Sequence, residues 1–143
     1  MTKTTPLFLG VNAFLFAGFA AASFAMPTQF ASMLDINLTS PTALADFRAV
    51  YGGLSLAIAG FCFIGIRQPR VTLSAVWLLT LVMTGLILGR VVSSVVSGPG
   101  NFLIVAQLGL EAFACVWGAL LIRASRAAQG AQLSSNTAAP AGA

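Results

Sequence analysis

Apolar residues along this chain collect into four long runs, at 7–26, 47–66, 71–96 and 102–122, each broken only by small or isolated polar positions. A helix rising 1.5 Å per residue needs about 20 such residues to cross a hydrocarbon core of about 30 Å, and each run supplies them. Between the runs stand Pro27, the stretch Arg67-Gln68-Pro69-Arg70, and the stretch Ser97-Gly98-Pro99-Gly100-Asn101. Proline and glycine end helices readily, and the flanking charges prefer the interface to the bilayer centre. The pattern predicts an all-α integral membrane protein, a four-helix antiparallel bundle occupying residues 1–126. From Ala127 onward, AAQGAQLSSNTAAPAGA is poor in bulky apolar residues, so residues 127–143 are expected to form a disordered tail.

The segment between the first two runs carries apolar residues of its own, Phe30, Met33, Leu34, Ile36 and Leu38, suited to capping the bundle or lying in the interface. Ser40-Pro41 offers an N-cap followed by proline at the first helical position, so the second helix is expected to begin there, above the membrane. The first run has a signal-peptide flavour, with Lys3 before it and the small residues Ser23 and Ala25 near its end. It is longer than the usual apolar region of a cleaved signal, and it is expected to be retained as a span.

Composition agrees with the pattern. The 143 residues are 58% hydrophobic and 7% charged, with a mean hydropathy of +0.94. A soluble domain carries roughly 25% charged residues, so this chain cannot cover a globular surface and its main partner is the lipid bilayer. The net charge of +4 does not point to nucleic acid, because its placement has a simpler reading. If the helices alternate, Lys3, Arg67, Arg70, Arg123 and Arg126 all fall on one side, which the positive-inside rule makes cytoplasmic, with both termini there. The chain has no His, and Cys62 and Cys115 form neither a CxxC nor a metal-spaced pair. No metal site, cofactor or catalytic residue is assigned. Both thiols read as small hydrophobes.

Lipid supplies no hydrophobic drive between helices, so small residues that let backbones approach are expected to hold the bundle. Gly85 and Gly89 form a GxxxG extended by Ser93 and Ser97. The second run offers Gly52, Gly53, Ala57 and Gly60, the first Ala13, Ala17 and Ala21, and the fourth Ala114 and Gly118. These read as contacts within the chain. A homo-oligomer face or a larger membrane complex stays open.

Ionisable residues within a span cost about 2.5–3.5 kcal/mol on insertion scales and so normally face inward with a partner. Arg90 precedes Pro99 by nine positions and Glu111 follows it by twelve. In a tight hairpin their backbones differ in height by about 4–5 Å; counted from Arg70 and Arg123, the difference is about 12 Å. Side chains lean toward their own helix N-terminus, so the two lean toward each other in either case. Gln107, one turn from Glu111, is placed to bridge them. Arg48 lies as far from Arg67 as Arg90 does from Arg70, to within a residue, and Asp46 and Tyr51 flank it. Asp46, Arg48, Tyr51, Arg90, Gln107 and Glu111 are therefore expected to line one polar site in the outer half of the bundle. Asn12 is expected to hydrogen-bond a neighbouring helix.

The runs LADFRAVYGGLSLA (44–57) and GLILGRVVSSVVSGPGN (85–101), with a glutamate in the fourth helix, resemble the bacterial membrane family called domain of unknown function 4345. The likeness extends from about Leu7 to Ile122. Its motif, acid-x-Arg-Ala-x-Tyr-Gly-Gly, then Leu-Gly-Arg, then Glu, falls here on Asp46, Arg48, Ala49, Tyr51, Gly52, Gly53, Gly89, Arg90 and Glu111. Members often carry an acid before the glycine of the third turn, where this chain has Ser97. The resemblance implies a four-helix protein of the bacterial inner membrane and no particular reaction. A likeness to DoxX-type four-helix proteins is one of analogy. Three functions remain in play: a non-enzymatic protein whose polar site is structural or holds a lipid or small amphipathic ligand, a proton-coupled small-molecule transporter, and an intramembrane enzyme acting on a lipophilic substrate.

Overall fold

Four of the six prolines initiate helices rather than break them. Pro6, Pro27, Pro41 and Pro69 each sit in a first helical turn, where the missing N–H would have had no partner. The computed structural model describes residues 3–98, 100 and 102–138. It contains α1 (Thr5–Ala25), the short α2 (Pro27–Met33), α3 (Pro41–Arg67), α4 (Pro69–Ser97) and α5 (Phe102–Ala138). The described residues include no strand. α1, α3, α4 and α5 are long and apolar enough to cross a membrane, in a four-helix antiparallel arrangement. Ser40 caps α3 as its sequence suggests, its Oγ accepting from the Ala43 N–H at 3.1 Å.

α3 is not uniform. Its residues Arg48–Leu54, RAVYGGL, form a π-helix between the α-helical turns Pro41–Phe47 and Ser55–Arg67. A π segment hydrogen-bonds i to i+5 and so holds more residues per turn than an α-helix. α5 also departs from expectation, continuing unbroken from the fourth span through residues 127–138, where a disordered tail was expected. The run RAAQGAQ is rich in alanine and glutamine, good helix formers that can extend an existing helix without a new nucleus. Residues 139–143 of that tail, and Pro99, the expected turn centre, lie outside the described residues. Gly98 ends α4 with φ of +88°, a conformation open to glycine and strained for other residues.

Packing is unequal along the bundle. Lys3, Arg67, Arg70, Arg123 and Arg126 share one end, hereafter the basic end; the other is the loop end. The buried cluster of Phe8, Leu9, Ile58, Cys62, Ala75, Val76, Leu79, Leu121 and Ile122 draws all four spans together in the basic half. Phe8 is its hub, meeting Trp117 edge-on at 5.3 Å between ring centres. Arg67 and Arg126 lie over the rings of Phe63 and Trp77, at 4.8 and 5.1 Å, and so keep their charges at that end while covering apolar surface. Toward the loop end the molecule is two hairpins. α1 packs on the π segment of α3, and α4 packs on α5. Their flanks, including Leu54, Leu88, Val92 and Leu110, are exposed.

The small residues divide accordingly. Gly52 lets the Phe24 ring approach so closely that an added Cβ would lie 2.8 Å from it. A Cβ on Gly65 would lie 2.6 Å from Ala75 Cβ, and one on Gly118 would run into Thr80 Oγ1. Gly85 and Gly89, expected at a helix contact, instead face open space, with nothing within 4 Å of a Cβ on either. The reason is rotational: Met83 and Arg90 take the face of α4 turned inward, which leaves these glycines on its back. Gly53 likewise meets only the Arg48 carbonyl of its own helix, 4.0 Å away.

Candidate functional site

The α4–α5 hairpin brings Arg90 and Glu111 into direct contact. Arg90 donates from Nε to both carboxylate oxygens, at 3.0 and 2.9 Å, and from Nη2 to Oε1 at 2.9 Å. This is a side-on, two-pronged ion pair, the geometry that a planar guanidinium offers and a lysine does not. The Glu111 side chain is 10% exposed and that of Arg90 23%. Opposed helix directions explain how the pair closes, since each side chain leans toward its own N-terminus and hence toward the other. Arg90 Nη1 takes no part in the pair and donates to nothing among the described residues.

Gln107 lies one turn from Glu111 on the same face of α5. It does not bridge the pair. Its Oε1 is buried and accepts no hydrogen bond from any described residue. Buried amide groups nearly always find a partner, and lipid provides none. One turn nearer the basic end, Thr84 Oγ1 and Cys115 Sγ stand 3.4 Å apart across the same hairpin, so Cys115 is half-buried and polar in its contact rather than a plain hydrophobe. Cys62 is fully buried, and both thiols are free.

Asp46, Arg48 and Tyr51 do not join this site. All three are exposed on the other hairpin, and neither Asp46 nor Arg48 forms an ion pair or hydrogen bond with the described residues. Matched height along the helix set the expectation, but height says nothing about which way a residue faces. The π segment, which begins at Arg48, also departs from the rotation of about 100° per residue that an α-helix would give. Tyr51 instead stacks on Phe47 at 4.5 Å, within an aromatic group that includes Phe30 and Phe19. Asn12 turns back to its own helix, its Nδ2 donating to the Phe8 carbonyl at 2.8 Å, an ordinary outcome for a short side chain within reach of the i−4 carbonyl.

Two features escaped the sequence reading. Ser23 is fully buried on α1 with its Oγ unpartnered. Thr72 ties the α3–α4 junction, donating from Oγ1 to the Gly65 carbonyl at 2.7 Å. The adjacency of Gly65 and Thr72 across a four-residue break was the available signal for the second. Nothing in the sequence marks the first.

The described residues hold no group of three or more His, Cys, Asp or Glu side chains able to bind a metal. Fold and site together define a small four-span helical membrane protein with one buried, charge-balanced polar site between its third and fourth spans. The chain belongs to the family described as domain of unknown function (DUF4345), whose model matches residues 5–122. No curated protein and no solved structure matches it.

Proposed function

We propose that this is a multi-pass protein of the bacterial inner membrane that holds a lipid or small amphipathic molecule by its polar head at Arg90, Gln107 and Glu111. The carrying observation is the unmet hydrogen-bonding capacity beside a satisfied ion pair. The Gln107 carbonyl oxygen is buried without a donor, one helical turn from a carboxylate that already has three hydrogen bonds. A purely structural lock would need Arg90 and Glu111 alone. Both Glu111 oxygens are already taken by Arg90, which supports this reading over proton-coupled export. Nor do the described residues place a nucleophile–base pair beside it to support an enzyme.

The test is what travels with the protein. Extracted in mild detergent and analysed by mass spectrometry, the wild-type chain is expected to retain one molecular species above the background of bulk phospholipid. Gln107→Leu is expected to lose it. If the two preparations carry the same lipids in the same proportions, the trio holds no ligand.

The same reading places both termini in the cytoplasm, supported by the five cations gathered at the basic end. Reporter fusions check it. Alkaline phosphatase inserted after Thr39 is expected to be active and a fusion after Arg126 inactive, and the opposite pattern would invert the orientation.

A further inference from the structure

The trio's chemistry narrows the class of ligand, and this step rests on the reading that it holds one. We infer that the ligand is an uncharged lipophile with a free hydroxyl in its head, that hydroxyl donating to Gln107 and accepting from Arg90. Charge comes first. Arg90 and Glu111 cancel, Gln107 is neutral, and neither Asp46 nor Arg48 is linked to the group. An anionic or cationic head entering from lipid would find no spare countercharge, and an isolated charge at membrane depth is strongly disfavoured. A phosphate would also have to compete with Glu111 for Arg90, whose charge is already offset and whose Nε–H and one Nη2–H are engaged by the carboxylate.

Hydrogen bonding comes second. The groups left free are one buried acceptor, Gln107 Oε1, and the Arg90 N–H donors that Glu111 does not take, on Nη1 and the second hydrogen of Nη2. A hydroxyl supplies one donor and accepts as well, so a single group answers both. It also answers either orientation of the Gln107 amide. A ketone or ester offers acceptors alone and would leave Oε1 unmet.

Access comes third. The loop-end flanks of α4 and α5, including Leu88, Val92, Leu103 and Leu110, are apolar and exposed. A tail can lie along them while the head reaches the trio from within the leaflet, with no passage through water.

The experiment measures the unfolding temperature of the full chain in dodecyl maltoside with three probes that share dioctanoyl tails. These are dioctanoylglycerol, which has a hydroxyl; trioctanoylglycerol, which replaces it with an ester; and dioctanoyl phosphatidic acid, which replaces it with an anion. Dioctanoylglycerol is expected to raise the unfolding temperature by several degrees in wild type, and the other two by less than one. Gln107→Leu, which removes a buried unmet acceptor and should fold at least as well, is expected to abolish the shift. An equal response to trioctanoylglycerol, or a shift that survives Gln107→Leu, overturns the hydroxyl. A larger response to phosphatidic acid makes this an anion site and overturns the inference, while leaving the ligand reading intact. No response to any probe, with no species retained on purification, removes both.

Discussion

Glu111→Ala is expected to destabilise the folded chain by about 3 kcal/mol. Removing one partner of a buried ion pair costs about 3–5 kcal/mol, because the other charge is left without compensation. Here the stranded group is Arg90, 23% exposed and within a span, and an arginine at that depth carries an insertion cost of about 2.5–3.5 kcal/mol. The figure is taken at the low end because Arg90 has a long stem and can move its head toward the interface. The reverse variant, Arg90→Ala, strands the less exposed Glu111. Replacing both by leucine removes two desolvated charges together and is expected to leave stability within about 1 kcal/mol of wild type. Reversible unfolding in mixed detergent–SDS micelles, followed by the fluorescence of Trp77 and Trp117, measures the wild type and all three variants. A Glu111→Ala midpoint equal to wild type would mean that the pair contributes nothing to holding α4 on α5.

The second large effect is expected at Gly65. Gly65→Ala places a Cβ 2.6 Å from Ala75 Cβ and 3.3 Å from Leu9 Cδ1. An alanine Cβ is fixed to the backbone and cannot swing away, so α3 and α4 must separate beside their short connection. That movement also pulls at the Thr72 hydrogen bond to the Gly65 carbonyl. Overpacking of this kind costs about 1–3 kcal/mol, and the upper end is expected here. Gly118→Ala should cost less. The atom it meets is Thr80 Oγ1, a side-chain atom that can rotate by giving up its bond to the Val76 carbonyl. Gly85→Ala, in open space, should be neutral or stabilising by up to about 1 kcal/mol through helix propensity alone. The same micelle titration ranks them, and a Gly65→Ala midpoint as high as that of Gly85→Ala would contradict the close crossing.

How much of this was legible in the sequence follows from what each feature depends on. The four spans depend on length and apolarity, properties of single runs, and the structure has them within a few residues at most ends. The Ser40 cap is local in the same sense, since a cap and its acceptor lie three residues apart. The Arg90–Glu111 pair was legible because one short turn and two opposed side-chain leans fix it. Whatever required the facing of one helix against a non-adjacent one was not legible. Arg48 had the right height and the wrong direction, and the π segment that begins there has no clear sequence signature beyond its Gly-Gly. Gly85 and Gly89 carried the familiar spacing, yet spacing does not say which side of α4 looks inward. Of the glycines that permit close approach, Gly52 and Gly118 were among the small residues expected to pack, while Gly65 lies in no small-residue repeat.

The uneven packing of the bundle has a last consequence. In the basic half, protein side chains meet protein side chains, and the geometry is set by their shapes. In the loop-end half, each hairpin turns apolar flanks outward, and hydrocarbon is the medium that fills the space beside them. The spacing of the two hairpins is therefore shared between the chain and its solvent. Acyl length and ordering are expected to act more on the loop-end half than on the half where one core joins all four spans.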